Sequence, residues 1–343
     1  MTLRRLMLGS AFSVFATGGA MAQAATVADL TAPGSPHHSW FGEIEGSVRV
    51  LNLPEIGLLT NDVTNGPVFL SEPDVLMGGG SLRLGHVFGQ QLDPQIWGGR
   101  LHVSAGGYYF TGSDDESFAS DGSESAFIDF FNGGFVPLVQ PFDADVTTDY
   151  TTWGGDLRAG LDFDMGGGFR LTPSIVAFGG RNELEQTVRI EEQVGSPLPH
   201  FFDTLQQTVD TSRFGGGLGL GATYDFGNGL QLRGGAQIAV TYNNTTANAY
   251  ECAGSPVFSG GCNGALFEGT TTVRESAVGY VASGGIGISY DLGFATIGLA
   301  AEMAYDSYQP VVDWPNQFGQ SGGFASGSAW SYGGSVFVTV PIN

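Results

Sequence analysis

Apolar and polar residues alternate with a period of two along most of this chain, and that pattern predicts β-strands. The stretch from Asp225 to Tyr242 shows it clearly, because every second residue after a short turn is apolar or small. The apolar face carries Leu230, Leu232, Gly234, Ala236, Ile238, Val240 and Tyr242. Arg233 lies in the middle of the opposite face, between Gln231 and Gln237. One side of this strand therefore suits an apolar phase and the other suits water.

Ten segments with this alternation follow one another along the chain. They cover approximately residues 40–51, 75–88, 96–110, 151–163, 169–179, 213–226, 230–242, 277–292, 295–305 and 330–342. No segment after the N-terminus offers the long apolar run that a membrane-spanning helix needs. The pattern predicts an all-β protein.

The connections between these segments alternate in length. The short ones read "GQQLDPQ", "DMGGG", "GNG" and "DLG". The long ones are the polar stretches 52–74, 111–150, 180–212, 243–276 and 306–329. Short turns on one side and long loops on the other are typical of an outer-membrane barrel. A hairpin hidden in a long loop would raise the strand count from ten to twelve.

Aromatic residues recur at both ends of the apolar faces. The pairs are Trp153 and Phe163, Phe214 and Tyr224, and Tyr280 and Tyr290. Ten residues of a strand tilted by about 40° rise about 25 Å, which matches the apolar band between the two aromatic girdles of such barrels.

Taken together, these features resemble bacterial outer-membrane β-barrel proteins of the porin-like kind. The resemblance implies a transmembrane antiparallel up-and-down β-barrel of about ten strands over residues 38–343, located in the bacterial outer membrane. Such proteins usually end in an aromatic residue. This chain ends in Asn343, although Tyr332, Val336 and Val340 keep the outward phase of the last strand.

The N-terminus has the features of a cleaved export signal. Residues 1–24 combine Arg4 and Arg5, an apolar middle and the Ala22-Gln23-Ala24 pattern. We expect cleavage there and a short periplasmic segment over residues 25–37. A single membrane anchor and a twin-arginine signal are the alternatives.

The charge balance excludes one class of partner. Asp and Glu number 34 against 12 Lys and Arg, and the formal net charge is −22. A chain this acidic is not expected to bind nucleic acid.

The polar faces of the predicted strands carry most of the arginines. By phase, the lumen receives Arg49, Arg83, Arg100, Arg158, Arg170, Arg213 and Arg233, together with the acids Glu43, Glu45, Asp156, Asp162, Asp225 and Glu302. Two interpretations are open. The charges select solutes in a pore, or they form a salt-bridged filling of a narrow barrel. Inward glycines at 215, 217, 219, 221, 285 and 287 leave space and favour a narrow pore.

Three features of the loops suggest further contacts. Cys252 and Cys262 lie close together in an exported chain and predict a disulfide, with a metal or redox pair as the alternative.

Residues 111–150 hold nine acids and no base. The spacing of these acids matches no EF-hand loop, so we expect a solvated surface, bridged by divalent cations to lipopolysaccharide and other outer-membrane lipids, with a specific Ca²⁺ or Mg²⁺ site as the alternative. The apolar run "AFIDFFNGGFVPLVQPF" within the same loop is expected to fold into the barrel mouth or to pack on other loops.

The sequence favours a porin-like channel for passive passage of small solutes or ions, with no enzymatic activity and no cofactor. A structural or adhesive surface barrel without transport is the main alternative. A protease of the omptin type is a further one, because Asp114, Asp115, His200 and Asp203 supply residue types that such enzymes use at the outer rim.

Overall fold

The computed structural model describes residues 39–61, 67–88, 99–121, 126–129, 135–138, 141–193, 201–254, 267–314, 317 and 322–342. This described part contains fourteen strands, and ten of them form one closed barrel in which every neighbouring pair is antiparallel. The predicted fold class and the count of ten barrel strands are confirmed. The predicted segment boundaries at residues 24 and 37 and the last residue, Asn343, lie outside the described residues.

The barrel strands follow the order of the chain around the ring. They are β1 (Ser39–Asn52), β4 (Asp74–Val87), β5 (Arg100–Ser120), β8 (Phe142–Gly166), β9 (Phe169–Glu192), β10 (Phe202–Asp225), β11 (Leu230–Gly254), β12 (Phe267–Asp291), β13 (Thr296–Asp313) and β14 (Gly323–Ile342). β1 pairs with β4 on one side and with β14 on the other, which closes the ring.

Four short strands form a separate sheet from two of the long connections. They are β2 (Ile56–Asn61), β3 (Pro67–Ser71), β6 (Ala126–Asp129) and β7 (Phe135–Leu138), arranged in the order β3-β2-β6-β7. The connections from 52 to 74 and from 111 to 150 therefore contain extra strands. These strands do not enter the ring, so the barrel is not enlarged to twelve.

Side chains alternate between a lipid-facing wall and an enclosed interior. Leu157 and Leu220 on the outer wall are 65% and 49% exposed. Arg158 and Thr223, one and three residues further along the same strands, are buried inside. None of the described segments forms a helix long and apolar enough to cross a bilayer.

The outer wall changes character partway along the tall strands. On β10 the exposed residues Gln206 and Ser212 precede the exposed residues Phe214 and Leu218. Because hydrocarbon favours apolar side chains and water favours polar ones, the upper membrane boundary lies at Phe214. Equivalent exposed aromatics on other strands are Tyr109, Trp153, Tyr242, Tyr280, Trp330 and Tyr332.

The strands that cross this boundary continue far above it. β8, β11 and β12 each have 25 residues, whereas about ten residues cross the apolar band. The regions predicted as loops over 180–212, 243–276 and 306–329 are largely strand. The part of the barrel above the boundary is called the upper half below, and the end with the short turns is called the lower end.

Candidate functional site in the barrel interior

The interior of the membrane half is lined by the charged residues that the alternation assigned to it. Five of the seven arginines are at most 6% exposed, namely Arg49, Arg83, Arg158, Arg213 and Arg233. Arg100 and Arg170, near the lower end, are half-buried. Each arginine lies on the inner phase of its strand. Because side chains alternate between the two faces of a strand, all seven point into the same enclosed space.

One network joins β4, β8 and β11 near mid-barrel. Arg83 binds Asp156 bidentately, with nitrogen–oxygen distances of 2.8 and 3.1 Å, and also donates to Ser104 at 2.9 Å. Arg158 lies 3.9 Å from the same carboxylate and donates to Gln237 at 3.0 Å. Bidentate pairs of this kind fix two side chains in one geometry.

A second network joins β1 to the strands on both sides of it. Arg49 contacts Glu302 at 3.1 Å and Glu45 at 3.9 Å. Ser81 donates to Glu45 at 3.1 Å, and Thr339 donates to Glu43 at 2.7 Å. These contacts link both sides of the closing strand through their inner faces.

Two further groups lie above and below these networks. At the upper boundary, Arg213 forms an ion pair with Asp306 and donates to Asn243 at 2.7 Å. Near the lower end, Arg100 contacts Asp162 at 2.9 Å. The barrel therefore has ion-paired layers at several heights.

Arg233, the residue that breaks the apolar pattern of its strand, is 2% exposed and lies inside. It donates to Gln231 at 3.1 Å, and its guanidinium carbon lies 5.4 Å from the centre of the Phe337 ring. A cation over an aromatic face is attracted by the ring quadrupole.

Asp225 differs from the other predicted lumen acids. It ends β10, and its carboxylate accepts a 2.7 Å hydrogen bond from the backbone N–H of Gly227 in the turn. Asp164 and Asp291 bind the N–H two residues on, at 2.9 and 2.7 Å, in two other lower turns. Asp225 keeps the inward phase predicted for it, because it is half-buried and follows buried Thr223 and exposed Tyr224, and its carboxylate also stabilises the turn, as short polar side chains do.

The inner glycines accept large side chains from neighbouring strands. A Cβ added at Gly298 would collide with the ring of Phe337, and one at Gly215 would collide with the ring of Phe178. A Cβ at Gly180 would lie 2.6 Å from Tyr108 Oη. At these positions a glycine on one strand makes room for a bulky inner residue on another.

Other inner glycines are required by close backbone approach. A Cβ at Gly217 would lie 2.6 Å from Ala239 Cα, and one at Gly287 would lie 2.6 Å from Leu299 O. The expectation that the inward glycines leave an open passage is wrong at Gly215, Gly217 and Gly287. Neighbouring atoms already occupy the space that a side chain would take.

The interior of the upper half contains a large apolar cluster together with buried polar and charged residues, among them Glu192, Asp203 and Glu251. Inner residues of the tall strands and of the small sheet form one buried cluster that includes Leu58, Val146, Leu184, Ile190, Leu205, Val209, Ala247 and Trp314. Ala126 and Leu138, from the apolar run in loop 111–150, belong to this cluster. The described part of that run therefore packs into the barrel mouth, which is one of the two arrangements expected from the sequence.

The upper end of β13 also enters the mouth. The register shifts between Asp306 and Gln309, and the strand then contacts β10 and β11. Val312 N donates to Gln207 at 2.8 Å, and Tyr308 Oη donates to Thr245 at 3.3 Å. The upper end of β13 thus lies in the barrel interior above the membrane boundary.

One carboxylate in the upper half lies in an apolar setting. Asp203 is 1% exposed on the inner face of β10, opposite Ile190 and Ala253. Burial raises the pKa of Asp203 well above its ordinary value, the charge of Glu251 raises it further, and the backbone N–H of Thr204 opposes the shift.

The residues considered for other chemistry do not converge in the described part. Asp115 is exposed on the outer face of β5, whereas Asp203 is buried on the inner face of β10. His200 and Cys262 lie outside the described residues, so the protease arrangement is not assembled here and the Cys252–Cys262 disulfide stays a prediction. Among the described residues, no group of three His, Cys, Asp or Glu is placed to hold a metal ion.

A groove of about 540 Å³ lies mostly on the outer wall, not in the lumen. Its outward lining includes Leu84, Val103, Leu157 and Ile175 within the apolar band. Hydrocarbon rather than a water-borne solute contacts these side chains.

No protein-family model matches the chain, and no curated protein matches it in sequence. Among solved structures, the outer membrane protease OmpT from Escherichia coli has 9% identity and a TM-score of 0.40, covering 91% of this chain and 99% of that one. The translocator domain of the autotransporter NalP from Neisseria meningitidis has 13% identity and a TM-score of 0.33, covering 88% of each chain. An outer membrane channel from Pseudomonas putida F1 has 12% identity and a TM-score of 0.28, covering 91% of this chain and 100% of that one.

These similarities are too low to carry an argument about activity, so the class rests on the barrel's own geometry. A closed antiparallel ring, an apolar outer band between aromatic residues and a charged interior define a transmembrane barrel. The chain is a transmembrane antiparallel β-barrel protein.

Proposed function

We propose that this protein is a closed barrel of the bacterial outer membrane that displays a rigid β-sheet structure at the cell surface. The observation that carries this proposal is the filled mouth. The small sheet, the upper ends of β13 and β14 and the inner faces of the tall strands share one apolar cluster. An apolar, close-packed region above ion-paired layers opposes the passage of hydrated solutes.

The outer surface of the upper half supports a role in contact with the environment. Asp143, Asp145, Asp149 and Glu185 are exposed there on β8 and β9. Asp149 and Glu185 are directly opposed across the two strands. Because opposed like charges repel, divalent cations that bridge this surface to lipopolysaccharide phosphates would relieve the repulsion. Outer-membrane lipids are the partners of this proposal, and it includes no enzymatic activity.

A porin-like passage for small solutes or ions is the second candidate. The side-chain hydroxyls of Ser174, Ser283 and Ser289 are buried in the membrane half without a hydrogen-bond partner in the described part of the chain. Buried hydroxyls of this kind are usually satisfied by water. Water among the arginines would favour a narrow, charge-selective route that opens when the mouth is unpacked.

Conductance of the folded protein in a planar bilayer tests the two candidates. The wild type is expected to give no steady ion steps, because the mouth is packed. A variant in which residues 56–71 are replaced by a short Gly-Ser linker is expected to conduct, because it lacks β2 and β3.

The folded state of both proteins is checked by heat-dependent mobility in electrophoresis. Steady conductance by the wild type would overturn the closed barrel. A change in ion selectivity on neutralising Arg100 and Arg158 would then establish the charge-selective passage.

A further inference from the structure

The upper half of β12 pairs with a neighbouring strand on one side only. β12 pairs with β11 from Phe267 to Tyr290, but its pairing with β13 begins at Val281. In the described part of the chain, residues 267–280 therefore form a sheet edge about fourteen residues long. A free edge presents a row of backbone donors and acceptors to a further strand.

β13 is held away from this edge. After Asp306 it bends into the mouth, where its backbone and side chains bind Arg213, Gln207 and Thr245. The last link between the two strands is the 2.8 Å hydrogen bond from Tyr280 N to Ser307 Oγ. The interior contacts would have to break before β13 could cover the edge.

The opposite edge of the same tall sheet is covered. Above Asp114, β5 pairs only with β8, but its free side meets the end of β3. Ser71 donates to Glu116 at 2.6 Å, and the rings of Phe69 and Phe118 stack 5.2 Å apart. Within the described ranges, one edge is thus covered and the other is open.

The open edge lacks some of the residues that usually protect edges, although Glu268, Arg274 and Glu275 place charges along it. Residues 267–279 read "FEGTTTVRESAVG", with no proline and no lysine, and with a β-branched run from Thr270 to Val273. Glu268 and Arg274 are exposed on its outer face. Tyr250 donates to Glu268 from the β11 side at 3.4 Å, whereas Arg274 has no ion-pair partner among the described residues.

We propose that this edge pairs with the same edge of a second copy of this chain, antiparallel and centred on Thr271. This register places Arg274 of each copy opposite Glu268 of the other and Thr270 opposite Thr272. Opposite charges and threonine pairs directly across two strands both stabilise a sheet. A shift of two residues in either direction removes both ion pairs, so the register is specified by charge.

The symmetry of this contact decides where the second copy lies. The two-fold axis of an antiparallel edge pair is perpendicular to the sheet, and here the sheet is the barrel wall. The axis therefore lies in the membrane plane, and the two barrels point in opposite directions from two facing membranes. The inference rests on the proposed surface role and names its partner as a second copy on an apposed membrane.

The dimensions are compatible with this arrangement. Thr271 lies nine residues above Tyr280, or about 23 Å above the membrane boundary, so the two boundaries are about 45 Å apart. The top of β12 lies about 33 Å above its own boundary. The described strands of β11 and β12 thus end before they reach the opposite apolar layer.

Clustering of phospholipid vesicles that carry the folded full-length protein tests the proposal, with light scattering as the readout. Wild-type vesicles are expected to cluster. Glu268→Arg and Arg274→Glu vesicles are each expected to stay dispersed, because like charges then oppose each other twice. A mixture of these two vesicle populations is expected to cluster again, because each of the two contacts between unlike copies then joins an arginine to a glutamate.

Glu191→Arg is the matched control, because it makes the same charge change as Glu268→Arg at a side chain that is 47% exposed on β9, away from the edge, and it is expected to cluster like the wild type. Wild-type vesicles that stay dispersed, single variants that cluster normally, or a mixture that fails to cluster would each overturn the edge pairing. Conductance of the same preparations is a separate readout, so failure of the closed barrel and failure of the edge pairing are distinguishable.

Discussion

At the scale of single residues, inner-face charges hold the membrane half together as pairs. Arg83 and Asp156 are both almost fully buried and bind each other bidentately. Arg100 also binds a buried acid, but its own side chain is 21% exposed. The contribution of an ion pair depends on this difference, because water stabilises a charge whose partner is lost.

Arg83→Ala is expected to destabilise the folded barrel by about 3–5 kcal/mol, because it leaves Asp156 buried beside a weaker partner. Arg100→Ala is expected to cost less, because water reaches that site. Urea-induced unfolding in detergent or lipid, followed by tryptophan fluorescence, measures both. Equal effects of the two substitutions would contradict the assigned burial.

At the scale of elements, the alternation continues along each tall strand while its polarity changes. Below Phe214 the outer face of β10 is apolar, and above it the outer face is polar and the inner face carries Leu205 and Val209. The sequence pattern identified only the segment with apolar residues facing lipid. For the parts of the tall strands above the membrane boundary, the pattern predicts loops, because the residues on their outer face are polar.

Packing of bulky inner side chains against glycines is a second property of elements. Gly298 on β13 is paired with Phe337 on β14, and the Phe337 ring fills the place of a Cβ at Gly298. Gly298→Val is therefore expected to destabilise the barrel by about 1–3 kcal/mol through overpacking. Gly298→Val combined with Phe337→Ala is expected to recover part of the loss.

Gly46→Val is the control for this experiment, because a Cβ at Gly46 meets nothing within 4 Å. It is expected to be close to neutral. Urea unfolding of the four proteins, including the wild type, measures the effect. A Gly298→Val protein as stable as the Gly46→Val protein would contradict the packing of the Phe337 ring.

Two aspects of the site could not be read from the sequence for physical reasons. Phase alone placed Arg83 and Asp156 inside, but the pairing of residues 73 positions apart depends on strand register. The inner glycines suggested free space, but a ring from the next strand fills the position beside Gly298. The ion pairing and the filled space beside Gly298 both depend on tertiary packing, whereas the period-two pattern alone predicts the ring of ten strands.

At the scale of the whole molecule, one boundary separates a part surrounded by lipid from a part surrounded by water. Leu157 lies between Trp153 and Phe163 on the outer wall, near the middle of the apolar band. Gln206 is exposed eight residues above Phe214 on the same outer wall. The same substitution should therefore have different costs at the two positions.

Leu157→Arg is expected to destabilise the protein in a bilayer by about 2–4 kcal/mol, because it places a charge in the hydrocarbon. Gln206→Arg is expected to have little effect, since its surroundings are water. Reversible unfolding from lipid vesicles measures both. Equal stability of the two variants would show that the boundary is misplaced.

The seam between β1 and β14 joins the first and last described strands of the chain. Because β1 and β14 are separated along the chain by all the other described strands, the ring cannot close until β14 is in place. β13 pairs with β14 and places Val311 and Val312 in the apolar cluster of the mouth. Closure of the wall and packing of the mouth therefore depend on the same hairpin.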